Sequence, residues 1–164
     1  MDQIALNATD RQFKYEIASR PGATHFARCF SCGTCTASCP VAEIDDRFNP
    51  RLLIRQALLG LREELLSSKE LWYCAQCYTC YARCPQDVRF TDILAVMRQM
   101  AVEEGYASPQ LIGDMKRVDV LAQRIRHDLA DIAYEARSGG TAAERIDALK
   151  RTVEEALAEL SDHE

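Results

Sequence analysis

The sequence predicts an all-α protein, and three observations carry the prediction. Between two cysteine-rich runs, apolar residues recur at three- and four-residue steps, and no segment there alternates as a strand would. Proline and asparagine stand where helices are expected to begin, and glycine stands where they are expected to end. Beyond residue 105, apolar residues keep this helical spacing as far as Leu160.

The first candidate element lies in the segment DRQFKYEIASRPG, which has two interpretations. Phe13, Tyr15 and Ile17 alternate as they would in a strand, whereas Phe13 and Ile17 alone fit a helix that stops before Pro21. We predict the helix.

The linker between the cysteine runs, the 34 residues from Pro40 to Tyr73, predicts two helices. Asn49 supplies an N-cap with Pro50 at the first helical position, and Gly60 is a suitable end. A shorter helix follows directly. The apolar positions of the two helices are Leu53, Ile54, Ala57, Leu58, Leu61, Leu65 and Leu66.

A further helix is expected after the second cysteine run. Thr91 can cap this helix, which ends near Gly105. Its apolar side carries Ile93, Leu94, Met97 and Met100.

The remaining residues predict a helical hairpin without cysteine. Ser108 and Pro109 open a first long helix, residues 138–140 break it, and Thr141 with Glu144 forms a capping box for a second. The apolar positions are Leu111, Met115, Val118, Ala122, Ile125, Leu129 and Ile132, then Ile146, Leu149, Val153, Leu157 and Leu160.

The chain is therefore expected to have two parts, a cysteine-bearing domain over residues 1–105 and the helical hairpin over residues 106–164. Two amphipathic helices joined by a short glycine turn should fold back on each other. Packing of the hairpin on the first domain is the favoured interpretation, and docking of a partner protein is the alternative.

The composition excludes several classes of function. The net charge of −5 argues against nucleic acid, which requires clustered Lys and Arg. No stretch approaches the roughly 20 apolar residues that span a bilayer. The start, MDQIALNATD, does not resemble a secretory signal, so we expect a cytoplasmic protein whose thiols stay reduced.

All eight cysteines lie in two runs of the form C-x-x-C-x-x-C-x-x-x-C-P, which repeat at an offset of 45 residues. These runs are CFSCGTCTASCP at residues 29–40 and CAQCYTCYARCP at residues 74–85. Disulfides would need an oxidising compartment, and zinc modules usually assemble from two C-x-x-C pairs held far apart. The spacing instead matches the bacterial ferredoxin run in both copies and predicts two [4Fe–4S] clusters as cofactors.

The ligands of these clusters are expected to be exchanged between the runs. In two-cluster ferredoxins, the fourth cysteine of each run binds the cluster of the other run. The metal ligands predicted for cluster 1 are Cys29, Cys32, Cys35 and Cys84. Those predicted for cluster 2 are Cys74, Cys77, Cys80 and Cys39. Because each cluster joins both runs, folding should depend on cluster insertion.

Residues beside the cysteines are candidates for tuning the reduction potential, which depends on charge, exposure and hydrogen bonds to sulfur. Arg28 and Arg83 could contribute charge or partner contacts. Aromatic residues could shield the clusters, although core packing is the favoured interpretation of Phe30, Trp72, Tyr73, Tyr78 and Tyr81.

The histidines are not expected to be ligands. His25 lies four residues before Cys29, but each cluster already has four cysteines, and neither His127 nor His163 has a companion ligand nearby. No nucleotide- or flavin-binding motif occurs. We predict no catalytic residues, because electron transfer needs no acid, base or nucleophile.

The two complete runs, the linker FNPRLLIRQALLGL and the second run LWYCAQCYTCYARCP resemble the C-subunit family of heterodisulfide reductase over roughly residues 10–104. The resemblance implies a helical ferredoxin-like fold with two [4Fe–4S] clusters. It also implies two partners, a B-type subunit with cysteine-rich CCG domains and an A-type subunit that contains flavin. This sequence has no adjacent Cys-Cys, so disulfide chemistry would occur on another polypeptide.

The predicted function is that of a non-catalytic electron-transfer subunit in a heterodisulfide-reductase-like complex. Such a protein would relay electrons between a flavin- or ferredoxin-like partner and a disulfide- or thiol-active subunit. One alternative is a free-standing redox sensor in which cluster loss is the signal. A zinc-bound structural adaptor is the other.

Overall fold

The computed structural model describes residues 9–137 and 143–161 and contains no strand among them, which confirms the all-α prediction. The described α-helices are α1 (Phe13–Ser19), α2 (Thr34–Ala37), α3 (Pro40–Ile44), α4 (Pro50–Leu59), α5 (Arg62–Leu66), α6 (Thr79–Ala82), α7 (Phe90–Glu103), α8 (Pro109–Arg137) and α9 (Ala143–Ser161). Short 3-10 helices occupy Phe26–Arg28 and Lys69–Trp72. The chain forms two compact units, of which the first ends at Pro109 and the second begins at Gln110.

The first helix, α1, confirms the helical interpretation of its segment. Phe13 and Ile17 are fully buried, whereas Tyr15 between them is 60% exposed. A strand would bury all three on one face, but a helix places only residues four apart together. The helix ends at Ser19, and the next residue, Arg20, has an extended backbone before Pro21.

The linker helix α4 begins and ends as the sequence predicts. The Asn49 side chain accepts a hydrogen bond from the Leu52 N–H at 3.1 Å, and Gly60 follows the helix with φ +78°. The Gly60 carbonyl accepts a hydrogen bond from the Asp10 N–H at 2.8 Å. A Cβ at Gly60 would lie 2.2 Å from the Asp10 carbonyl oxygen, so this approach requires glycine.

The prediction that Thr91 caps α7 is wrong. The helix begins at Phe90, and the N-cap position two residues before Thr91 is taken by Arg89, which has a left-handed backbone at φ +60°. Thr91 lies inside the first turn and is buried, and its hydroxyl lies against the Cys80 sulfur instead of a backbone N–H. The predicted apolar side of the helix is buried as expected.

The core of the first unit joins the N-terminal helix, the linker and α7, and cysteine-bearing segments pack against it. Its fully buried large side chains are Phe13, Phe26, Phe48, Ile17, Ile54, Leu65, Leu66, Leu71, Ile93, Leu94, Met97 and Met100. The short helices α2 and α6, one from each cysteine run, also pack on each other. The core therefore supports both runs at once.

The second unit contains α8 and α9. Arg145 of α9 pairs with Asp131 at 3.1 Å and with Glu135 at 2.8 Å, both near the end of α8, so the two helices are in contact. The predicted break at residues 138–140 and the predicted cap Thr141 lie outside the described residues. No helix in the described ranges is long and apolar enough to cross a membrane.

Candidate metal centres

The first cysteine run curls through two left-handed backbone positions, Ser31 at φ +60° and Gly33 at φ +84°. The second run does so at Gln76, φ +46°, and at Tyr78, φ +58°. These pairs are related by the same 45-residue offset as the cysteines, so the repeat includes backbone conformation. Glycine adopts this conformation without strain, whereas the three other residues do not. Gly33 was the only sign of this curl in the sequence.

Cysteines from both runs line each of two cavities. The first cavity is lined by Cys29, Cys32, Cys35 and Cys84, and the second by Cys39, Cys74, Cys77 and Cys80. Cys80 also reaches the wall of the first cavity, and Phe90 lines both. The two cavities are therefore neighbours, and each draws its cysteines from both runs.

The donor set fits iron–sulfur clusters. Eight thiols around the two cavities can supply the four ligands that each of two [4Fe–4S] clusters takes. The rest of each wall is largely apolar, and Ile54, Val88, Val41 and Phe48 contribute to it. Within the described ranges, no group of three or more His, Cys, Asp or Glu side chains is arranged to hold a single metal ion.

Burial favours the protonated form of three of the cysteine thiols. It raises the pKa of Cys35 and of Cys80, and it raises the pKa of Cys74 to about 11. The Thr34 hydroxyl, 3.3 Å from the sulfur, lowers the pKa of the exposed Cys32. Cluster insertion must therefore displace protons from the buried thiols.

Each cavity also has hydrogen bonds directed at its sulfur atoms. The Gln76 N–H donates to Cys74 Sγ, and the Val88 N–H donates to Cys84 Sγ, both at 3.4 Å. Thr79 Oγ1 lies 3.5 Å from the exposed Cys77 sulfur, in the position that Thr34 takes in the first run. These groups can stabilise the thiolates that bind iron.

Two polar residues of α7 lie on the side of the second cavity, Thr91 in its wall and Arg98 against the Cys74 carbonyl, and neither was predicted from the sequence as part of the site. Thr91 Oγ1 lies 3.4 Å from Cys80 Sγ. Arg98 is 8% exposed, and its Nε donates to the Leu71 carbonyl at 2.6 Å and its Nη2 to the Cys74 carbonyl at 3.4 Å. A charged residue four positions after Leu94, on the apolar side of a helix, was the available signal for Arg98.

The aromatic residues beside the cysteines fall into two groups. Phe30 is 60% exposed and Tyr78 is 49% exposed, so the favoured interpretation of core packing is wrong for these two. Trp72 and Tyr73 are half-buried against the core. Tyr81 is also half-buried and meets Tyr78 edge-on, with 6.3 Å between ring centroids.

The charged residues predicted to tune the clusters lie at the surface, since Arg28 and Arg83 are both exposed. His25 is half-buried, and its Nδ1 donates to the Asp87 carbonyl at 2.8 Å and lies 3.0 Å from the Asp87 carboxylate. His127 is exposed beside Asp128, and His163 lies outside the described residues. The assignment of all three as non-ligands stays a prediction.

Comparison with known proteins gives a consistent result for the cysteine-bearing segment. The family described as 4Fe-4S dicluster domain matches residues 25–88. The iron–sulfur C subunit 2 of the CoB–CoM heterodisulfide reductase of Methanocaldococcus jannaschii is 46% identical over 77 residues, which are 47% of this chain and 40% of that protein. The C subunit of the H(2):CoB-CoM heterodisulfide,ferredoxin reductase of Methanothermobacter thermautotrophicus is 37% identical over 100 residues, 61% of this chain and 53% of that protein.

The chain thus contains a 4Fe-4S dicluster domain, which confirms the prediction of two [4Fe–4S] clusters. The resemblance to the C-subunit family of heterodisulfide reductase is likewise confirmed over about half of the chain. A third relative, the C subunit of the Ferredoxin:CoB-CoM heterodisulfide reductase of Methanosarcina mazei, is 43% identical over 82 residues, half of each protein. The chain spans about half the length of the curated relatives it matches.

Proposed function

We propose that this chain is the iron–sulfur electron-transfer subunit of a heterodisulfide-reductase-like complex. It relays electrons between a flavin- or ferredoxin-like redox partner and a disulfide- or thiol-active subunit with CCG domains. The observation that carries the proposal is the pair of adjacent cavities, each walled by cysteines drawn from both runs, with Cys80 in the wall of both. This grouping also supports the exchanged ligand sets predicted for clusters 1 and 2.

The residues of the chain hold, space and insulate the redox centres. A [4Fe–4S] cluster supplies one-electron chemistry when bound. Cys80 and Phe90 line both cavities, so only a thin wall of side chains separates the two sites. Apolar residues cover the inner faces and exclude water, which limits the rearrangement of solvent that a change of charge requires.

Each site also has an outward ligand through which electrons can be exchanged. Cys32 and Cys77 are the exposed cysteines, one for each cluster. Phe30 and Tyr78 lie exposed beside them and offer contact area to a partner. The partners are an A-type flavin protein and a B-type CCG protein, in keeping with relatives that are named as C subunits of a larger reductase.

Metal analysis tests the cofactor content. Protein purified without oxygen should contain about eight iron and eight acid-labile sulfide per chain. The Cys77→Ala variant, which removes a ligand of one cluster, should retain about half of each. Two zinc ions and no sulfide would identify a structural adaptor instead.

Co-purification and stopped-flow mixing test the role in a complex. The chain should be isolated with a cysteine-rich partner, and the reduced chain should lose its electrons when that partner is added in oxidised form. The Cys77→Ala variant is the control, since it should still bind while its electron transfer is interrupted. A monomer that binds a target only after losing its clusters would instead be a sensor.

A further inference from the structure

The surroundings of the two clusters are alike in several respects. A backbone N–H donates to a cysteine sulfur at each site, from Val88 at cluster 1 and from Gln76 at cluster 2, both at 3.4 Å. A threonine also lies beside each exposed cysteine, namely Thr34 and Thr79. These matched contacts give no reason for the two reduction potentials to differ.

Thr91 introduces a first difference, on the side of cluster 2, because at cluster 1 the threonine beside Cys35, Thr36, donates its hydroxyl proton to Asn49 Oδ1 at 2.9 Å instead. Its side chain is buried, with 4% of the residue exposed, and its hydroxyl lies 3.4 Å from the sulfur of the buried Cys80. A thiolate that binds iron has no proton, so the hydroxyl is the donor. Water does not compete for this hydrogen bond as it does at the exposed Cys32 and Cys77, and the hydrogen bond is correspondingly stronger.

Arg98 introduces a second difference on the same side. Its guanidinium stays charged and is held by the carbonyl groups of Leu71 and of Cys74, a ligand of cluster 2. Arg51 also lines the cavity of cluster 1, but it is exposed to solvent. A charge acts about four times more strongly at the effective dielectric constant of a protein interior, near 20, than it does in water.

We propose that Thr91 and Arg98, two helical turns apart on α7, raise the reduction potential of cluster 2 above that of cluster 1, and so direct electrons from cluster 1 to cluster 2. The inference rests on the proposed ligand sets and function. Reduction adds one negative charge, which a hydrogen-bond donor and a nearby cation both stabilise. The electron that leaves cluster 1 is the one that cluster 2 gains, and no bond or proton changes.

This ordering assigns a side to each partner. A low-potential one-electron donor, of the flavin or ferredoxin class, reduces the chain near the exposed Cys32. The disulfide- or thiol-active subunit takes the electron near the exposed Cys77. The partner-facing contacts beside these cysteines are then Phe30 for the donor and Tyr78 for the acceptor.

An anaerobic redox titration of the full chain with both clusters, followed by electron paramagnetic resonance, tests the inference. The wild type should show two separate one-electron steps. Thr91→Val, which keeps the shape and removes the hydroxyl, should shift the higher step to a lower potential and leave the other nearly unchanged. Thr91→Ser, which keeps a hydroxyl, should leave the higher step near its wild-type potential. Thr79→Val makes the same substitution beside an exposed ligand of the same cluster. It is the matched control and should shift the potential of the higher step less than Thr91→Val does.

Arg98→Gln is an independent second variant, because it retains hydrogen-bond donors and removes the charge. It too should lower the higher step. If a variant loses cluster 2 altogether, the step that remains must be the lower one, and the same holds for Cys77→Ala.

Several results would overturn the inference. The first two are equal reduction potentials for the two steps of the wild type and a variant that shifts only the lower step. The other two are unchanged potentials in variants with full iron and sulfide, and a variant without cluster 2 whose remaining step is at the higher potential. None of them would remove the proposed electron-transfer function. That function fails separately if the wild type binds no clusters or transfers no electrons to its partner.

Discussion

Because Gly60 has no Cβ, the backbone of Asp10 can pack directly against the end of α4. The Gly60 backbone has φ +78°, and a Cβ at this position would lie 2.2 Å from the Asp10 carbonyl oxygen. Gly105 has the same φ of +78° but has nothing within 4 Å of its Cβ position. The two glycines therefore separate the effect of a close contact from the effect of backbone strain alone.

We expect Gly60→Ala to lower the midpoint of thermal unfolding more than Gly105→Ala does. The second variant bears only the strain of a left-handed residue, about 1 kcal/mol. The first must also move the Asp10 segment away and weaken its hydrogen bond. Circular dichroism under anaerobic conditions measures both midpoints, and equal shifts would mean that the close approach at Gly60 does not contribute to stability.

The exchanged ligands can be tested with four single substitutions. Cys39→Ala should resemble Cys77→Ala, because both would remove a ligand of cluster 2. Cys84→Ala should resemble Cys32→Ala for the same reason at cluster 1. Iron content and the spectrum of the remaining cluster provide the comparison. Resemblance of Cys39→Ala to Cys32→Ala would assign each run to its own cluster.

At the scale of elements, one arginine connects three parts of the first unit. Arg62 of α5 pairs with Asp10 at 2.9 Å, with Glu16 of α1 at 2.8 Å and with Glu104 after α7 at 2.7 Å. Its guanidinium also lies 5.0 Å from the centre of the Phe13 ring. These contacts fix the N-terminal helix to the linker and to the end of α7.

We expect Arg62→Met to destabilise the first unit by about 1–2 kcal/mol, between the values for exposed and for buried ion pairs. Anaerobic thermal unfolding measures the effect. Arg47→Met is the matched control, since Arg47 forms one ion pair, with its near neighbour Asp45, at an exposed position. An equal shift in both variants would show that the Arg62 contacts add nothing as a group.

The effect of Arg62 should also depend on pH. The Gln12 N–H and the Arg62 guanidinium lower the pKa of Asp10 from 3.8, and Arg62 lowers the pKa of Glu16 from 4.5. A carboxylate with a lowered pKa stabilises the fold above its ordinary pKa, and this contribution is lost as pH falls through the lower folded value. The difference in midpoint between wild type and Arg62→Met should therefore be constant near neutral pH and shrink below about pH 4. A difference that grows in acid would contradict this assignment.

Helix positions were largely predictable from local signals, since the Asn49 cap, Pro50 and Gly60 all act within one or two turns of α4. Thr91 was assigned wrongly because the same hydroxyl can serve a backbone N–H or a distant sulfur, and Cys80 lies 11 residues away. The cysteine spacing predicted two clusters, but the buried position of Arg98 depends on packing between α7 and the segment at Leu71. Such long-range contacts leave little trace in a local pattern.

At the scale of the whole molecule, burial is concentrated in the first unit. Every buried hydrophobic side chain among the described residues lies at or before Ala101, and α8 has no buried residue. All eight cysteines also precede Pro109. The cluster-binding unit therefore contains its own core and its own ligands.

We expect a chain that ends after Pro109 to retain both clusters. Its iron and sulfide content and its visible spectrum should match those of the full chain, because no ligand or buried hydrophobic residue of the described core is removed. Co-purification with partner proteins, measured in parallel, would show whether the helices α8 and α9 serve in docking. Loss of iron in the shortened chain would make the second unit necessary for cluster binding.

The exposure of Cys32 and Cys77 has a consequence for how the protein survives in air. A cysteine ligand open enough to meet a redox partner is equally open to dioxygen and peroxide, which diffuse freely to the surface. Oxidative damage should begin at these two sulfurs and spare the buried Cys80. A docked partner would then shield as well as exchange electrons, and the chain should be most vulnerable during the interval between its synthesis and its assembly.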